Sequence, residues 1–456
     1  MKKLVLLFIF LIFPFYVYAD DITSKSKIYI NENINTKITD NNETSFIKIS
    51  ANETIKILSD EDIYKVYIVY EYESKTGIIS NEQKSYNIGE NNFLHEYINV
   101  EETIGKSKEL TLKYNEDVKI AEIYMIDNGD IPEYVEIWNP PVDKADLLLL
   151  STHSDDEQLF FLGLLPTYVA KGASVQVIYF ANHNDNPKRL HEQLHGLYTV
   201  GIKNYPIIGI VPDAYSESLD GAIRNLESAT LTLDDTIDFQ VEMIRKFKPL
   251  VVVGHDELGE YSHGQHILNT HVLKIALEKT NDKTYHQESF EKYGAWDVPK
   301  TYLHLYKENQ ITMNYDIPLE YFDGKTAYEV SKEGYSKHLS QQWTWFTKWI
   351  NGSNNSYTKA TEIKTYKPTD FGLYRTTVGN DIEKNDMFEN LTFRKDEIKE
   401  ETHINNTTTD TTEDLKEKIN EFDINKLLAY KEYIIIGIAF IIIILILKPK
   451  KNKVKR

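Results

Sequence analysis

Three side chains able to do chemistry stand within four residues of one another: His153, Asp155 and Asp156. One imidazole and two carboxylates that close can bind a divalent cation and still leave one carboxylate free to accept a proton. More than a hundred positions on stand His263 and His266. Three apart at the expected start of a helix, these imidazoles share a side, so one can reach a cation while the other faces a substrate. The first cluster also has a plainer reading, a polar loop whose acids are solvated and whose His153 caps the next helix. His255 and His271, nearby, are read as a strand cap and as a packed or exposed helical residue, and are set outside the candidate site.

The elements that must position these groups are legible from apolar patterning. Leu147, Leu148, Leu149 and Leu150 run straight into the first cluster. A continuous apolar run bounded by polar residues is the signature of a strand buried on both faces of a parallel sheet. Comparable runs at 175–180, 207–211 and 250–253 alternate with helical stretches at 157–170, 187–200 and 233–247. Alternation of this kind implies βαβ units with right-handed crossovers, hence an α/β, Rossmann-like parallel-sheet catalytic domain over 140–392. Both clusters then follow strands, at the carboxyl ends where ligands bind in open α/β sheets. Beyond 279 the reading is of polar and aromatic loops, a helix over 326–349, and then 371–390.

The flanks read differently. Between 25 and 129, short β-prone runs alternate with Asn, Asp and Gly, as in 63–70, 109–114 and 118–125. That pattern predicts an all-β antiparallel sandwich domain over 20–135, preferred here as a structural spacer over a sugar-binding module. Lys2 and Lys3, an apolar run and Val17-Tyr18-Ala19 resemble a secretory signal at 1–19, with an uncleaved anchor as the alternative. At the other end come an Asn-Thr-rich stalk at 393–431, a transmembrane helix at 432–447 and a basic tail at 448–456. The expectation is a single-pass protein of the cell membrane with its catalytic part extracytoplasmic, a soluble secreted form being the rival. With a net charge of -19, nucleic acid is excluded as a partner. With no cysteine, any metal must be held by imidazole and carboxylate.

Thr152-His153-Ser154-Asp155-Asp156-Glu157 resembles the His-Pro-Asp-Asp-Glu signature of the PIG-L/LmbE family of metal-dependent N-acetylglucosaminyl deacetylases, and His263 to His266 resembles its second His-x-x-His motif. Arg189-Leu190-His191-Glu192, then Gly201-Ile202 and Pro212-Asp213, are similar to the family's Arg-x-x-Glu helix and following strand and loop. A fainter echo lies in Lys337-His338-Leu339-Ser340-Gln341. The likeness covers roughly 146–278. Two positions depart from it: Ser154 replaces the usual proline, and Gln265 stands where many members have an aspartate.

The resemblance implies a role for each matching residue. His153, Asp156 and His266 would hold Zn2+ or another divalent metal. Asp155 would be the general base, His263 the donor to the oxyanion, and Arg189 a contact to the sugar. In the plainer reading Arg189 pairs with Glu192 along its helix. The activity implied is hydrolytic removal of the N-acetyl group from an N-acetylated amino sugar or glycoconjugate. The rival from another class is a carbohydrate-binding or adhesive surface protein with an inactive deacetylase-like domain.

Overall fold

The computed structural model describes residues 21–395. The expected signal segment, most of the stalk, the apolar run at 432–447 and the basic tail lie outside the described residues. Among the described residues no helix is long and apolar enough to cross a membrane. This overturns the expected single-pass membrane location, and nothing among the described residues supports the membrane as a partner. The physical reason was present in the sequence, because the uninterrupted apolar run at 433–447 is short of the ~20 residues that span a bilayer.

The architecture is mixed α/β, and residues 21–394 belong to one compact unit. Its N-terminal part is two antiparallel sheets. One has six strands in the order Asn33–Ile34, Ser26–Ile30, Thr54–Ile63, Ser107–Tyr114, Gly77–Ser80 and Ser85–Ile88. The other has four: Ile47–Ile49, Val118–Ile126, Lys65–Tyr70 and His95–Asn99. Alternate residues point to opposite faces of a strand, and the inward set of both sheets, including Ile55, Ile57, Val66, Ile68, Leu110, Leu112, Ile120 and Ile123, merges into one apolar cluster.

The sheet that carries the site comprises β1 (Leu147–Ser151), β2 (Val175–Tyr179), β3 (Val251–Gly254), β4 (Lys300–His304), β5 (Gln310–Thr312) and β6 (Asp370–Thr376), in the spatial order β2-β1-β3-β4-β6-β5. β1 pairs in parallel with β2 and β3, and β3 in parallel with β4. β6 runs antiparallel to both β4 and β5, so the sheet is mixed rather than wholly parallel. β1 is buried along its whole length. Leu147 and Leu149 pack into one apolar cluster and Leu148 and Leu150 into another, which places helices and loops on both faces of the sheet.

Three segments differ from the sequence pattern. The stretch at 157–170 is two helices, Asp156–Leu159, which ends on Phe160, and Leu164–Ala170, which opens on Gly163 at a φ of 86°. Of the expected strand at 207–211, Val211 opens a short strand, Val211–Pro212, that pairs with Ala181–Asn182, and Ile207 forms an isolated parallel bridge with Ile178 of β2. The Gly209 backbone there lies so close to the Phe180 carbonyl that a Cβ would sit 2.1 Å from it, a crossing rather than a ladder. The expected helix at 326–349 is Ala327–Tyr335 and Thr344–Asn351, parted by a turn holding His338. Helix α1 (Pro187–Thr199) and helix α2 (Gly264–Lys279) flank the site.

Candidate metal centre and its surroundings

β1 ends at Ser151, and the turn after it delivers His153, Asp155 and Asp156 to the carboxyl edge of the sheet. The turn is fastened from α2, where the Asn269 amide donates to Thr152 Oγ1 over 2.9 Å. α2 opens on His263 as its cap and carries His266 in its first turn. The two segments converge. His153 Nδ1 is 3.1 Å from His266 Nε2, and Asp156 Oδ2 is 3.2 Å from each of them. Zinc bound tetrahedrally at about 2.0–2.1 Å to three such atoms holds them about 3.3 Å apart. The residues therefore fit a single divalent ion.

Whether ring nitrogens can ligate depends on where their protons sit, and the surrounding acceptors decide that. His153 Nε2 is 2.9 Å from Gln265 Oε1. The Gln265 amide is itself oriented, its Nε2 donating to the Pro212 carbonyl over 2.8 Å and its Oε1 accepting from the Ala214 N–H over 3.1 Å. His153 therefore carries its proton on Nε2 and turns the Nδ1 lone pair inward. The second departure from the family pattern thus keeps the acceptor and gives up its charge. His266 donates from Nδ1 to Glu260 Oε2 over 2.7 Å, which frees its Nε2.

Glu260 is the hub beneath the centre. It is wholly buried and also takes the Nδ1 of His255, at 2.8 Å, and of His304, at 2.6 Å. His255 Nε2 accepts the Thr152 N–H over 3.0 Å, so its proton lies on Nδ1. His304 donates at both nitrogens, its Nε2 going to the Lys367 carbonyl at 2.9 Å. Burial would raise the Glu260 carboxyl, yet His255, His266 and His304 hold it well below the usual carboxylate range. Asp156 behaves alike, held down by His266 and His153 against its own burial.

Asp155 sits beside the triangle with its backbone at φ 120°, a region that side chains rarely enter. Burial, foremost, and the neighbouring Asp156 charge raise its carboxyl above the ordinary range, against the pull of Arg189, whose Nη2 is 3.6 Å from Oδ1. Arg189 is not paired with Glu192. Its Nη1 meets Asp213 Oδ2 at 2.7 Å and its Nη2 meets the Ser154 carbonyl at 2.7 Å, whereas Glu192 accepts from the Ser340 N–H. Ser154 uses the N–H that a proline would lack, donating to His183 Nε2 over 3.0 Å. His263 Nδ1 accepts the Gln265 N–H over 3.2 Å. Burial and the neighbouring His153 and His266 rings keep His263 neutral, so its Nε2 carries the proton. Its ring centroid lies 4.6 Å from that of His153 and 4.7 Å from that of His266, and its ring belongs to a second possible ligand set with these two.

All six residues singled out in the sequence therefore lie together. Sequence reasoning missed Glu260, His304, His183 and Asp213 as parts of the site, and it set aside His255, which is fully buried at the centre. His271 stays outside, half-buried along α2.

No protein-family model matches the chain. Over 179 residues, 34% of this chain and 60% of the other, it is 28% identical to the 1D-myo-inositol 2-acetamido-2-deoxy-alpha-D-glucopyranoside deacetylase of Geodermatophilus obscurus. Over 178 residues, 34% of this chain and 63% of the other, it is 30% identical to deacetylase 2 of the same description from Saccharopolyspora erythraea. The chain thus spans about three fifths of the length of these curated relatives. Among solved structures, N,N'-diacetylchitobiose deacetylase from Pyrococcus horikoshii aligns with a TM-score of 0.36 and 13% identity, over 51% of this chain and 85% of that one. By its sequence relatives and its motif residues the chain resembles the PIG-L/LmbE-type deacetylases.

Proposed function

We propose that the protein is a metal-dependent hydrolase that removes the N-acetyl group from an N-acetylglucosamine-type sugar or conjugate. The observation that carries this reading is the triangle of His153 Nδ1, Asp156 Oδ2 and His266 Nε2, with both ring protons drawn away from its centre by Gln265 and Glu260. Three protein ligands leave room for water, the arrangement of a catalytic rather than a structural ion. Zinc or another divalent ion there supplies Lewis acidity toward the amide carbonyl and makes water a competent nucleophile near neutral pH.

The remaining roles fall to the chain itself. Asp155, next to Asp156 in the turn and with Arg189 at its flank, accepts the proton of the attacking water. His263, neutral and with its proton on Nε2, donates to the oxygen on which negative charge develops. The proton that Asp155 takes from the water is then passed to the departing amine, and His263 stays neutral. Arg189 is assigned to the sugar, in addition to fixing Asp155 and the Ser154 carbonyl. We read the two N-terminal sheets as a β-sandwich domain over 20–135 and the rest as a deacetylase domain over 140–392.

The test is acetate release from N-acetylglucosamine and its glycosides by the purified protein, together with elemental analysis for bound metal. Asp155→Asn is expected to keep its metal and to lose about 10²–10⁴-fold in rate. Equal rates in the two proteins sink the mechanism.

A further inference from the structure

Helix α1 presents one face to two places. From it Arg189 reaches Asp155, and one turn further, at the i+4 position that shares a face with Arg189, Gln193 lines a cleft of about 290 Å³. The opposite wall comes from the N-terminal part, with Tyr72, Glu73 and Lys75 following the strand Lys65–Tyr70, and Asn184 and Tyr205 complete it. Gln193 is 1% exposed, yet neither its Oε1 nor its Nε2 has a hydrogen-bond partner. Burying a primary amide without partners is costly, and a ligand offering both a donor and an acceptor removes that cost.

The lining indicates which ligand. Glu73 and Lys75 oppose each other in charge, which disfavours a simple anion or cation. Tyr72 and Tyr205 give the cleft aromatic walls, and the amides of Asn184 and Gln193 each offer one acceptor and two donors. Apolar walls with a few convergent polar groups make a small-molecule site, and this volume admits one pyranose ring. We propose that the cleft is a second sugar subsite, which binds a ring of a glycan whose N-acetylated unit is the one hydrolysed at the candidate metal centre. The substrate class is thereby narrowed to oligosaccharides and glycoconjugates, and this narrowing rests on the deacetylase reading above.

The experiment is calorimetric titration of the full chain carrying Asp155→Asn, so that sugar is not turned over, with N-acetylglucosamine and with its β-linked trisaccharide. The trisaccharide is expected to bind at least about tenfold more tightly, and adding Gln193→Leu or the pair Lys75→Ala and Asn184→Ala is expected to abolish most of that advantage, each lost hydrogen bond accounting for up to about tenfold. The paired substitution lies at the cleft's rim, so it reports even where Gln193→Leu fails to fold. Should the wild-type chain release no acetate from any sugar while this affinity pattern holds, the deacetylase reading fails and the subsite stands. Equal affinity for the two sugars, or a preference that survives both sets of substitutions, overturns the subsite.

Discussion

Replacing Glu260 by glutamine is the most searching perturbation of the centre, because one buried carboxylate orders three imidazoles from β3's end, α2 and β4. Glutamine preserves shape but offers one accepting oxygen and a donating amide, and that amide must face at least one imidazole N–H. Two losses follow. First, the His266 proton loses its charged acceptor, and removal of such a partner typically lowers metal affinity 10–100-fold. Second, His304, which donates at both nitrogens and is wholly buried, loses its counter-charge. Breaking a buried pair from one side costs roughly 3–5 kcal/mol, while the surviving accepting oxygen returns part of it, so a loss of about 2–4 kcal/mol is expected. Urea unfolding with a chelator present measures the second effect apart from the first, and competition with a chromogenic chelator measures the affinity. A variant that unfolds at the wild-type urea concentration and binds zinc within about threefold of wild type would refute the reasoning that Glu260 organises the site.

Other outcomes are open to direct measurement. Gln265→Leu removes the acceptor for His153 Nε2 and is expected to weaken zinc binding about 10–100-fold without charge repulsion, read by the same competition assay. Zinc at a hundred times its dissociation constant is expected to raise unfolding free energy by about 2.7 kcal/mol, an increase that His266→Ala should abolish. Away from the centre, His195 donates to Glu136 over 2.7 Å and to Glu43 over 2.9 Å, joining α1 to the N-terminal part. Burial would lower this imidazole, but Glu136 and Glu43 carry it up to about 10. Burial would raise Glu43, but His195 brings it down to about 2. A raised imidazole stabilises fully below its ordinary value near 6.5 and loses that contribution as pH climbs toward 10, while a depressed carboxylate loses its own as pH falls from 4.5 toward 2. The stability margin of wild type over His195→Gln should therefore peak between about pH 5 and 6.5 and shrink on both sides, and a margin flat from pH 6 to 10 in urea unfolding would contradict this.

The parts of the site that could be read from the sequence were those whose chemistry is local. Leu147–Leu150 announces a doubly buried strand, and its abrupt change to His153, Asp155 and Asp156 marks the strand's end. The pairing with His263 and His266 was visible only as matching chemistry after a second apolar run. What stayed hidden is what three-dimensional convergence alone supplies. His183 and His304 come from two separate segments and have no spacing that links them, while Asp213, though in a segment matched to the family's pattern, gave no sign of its pairing with Arg189. His255 had a usable signal, standing directly after β3 where β1 carries its own histidine close to the strand end, but it was read as a cap because its acceptor, Glu260, looked like an ordinary loop acid. Arg189 was weighed against Glu192 by helical spacing, yet Asp213 lies across the turn and wins by direct 2.7 Å contact. The antiparallel β6 was missed because sheet direction at an edge is set by how the chain returns, not by local pattern.

The backbone at Asp155, at φ 120°, implies that the turn is held under tension. A non-glycine residue in such a conformation costs of the order of 1–3 kcal/mol and persists only where its surroundings leave it no alternative. Glycine at this position would relax the turn and should yield a hardier protein that has lost its proton acceptor. The site is thus a loaded spring whose load is one carboxylate, and natural or engineered selection for heat resistance alone would be expected to unload it.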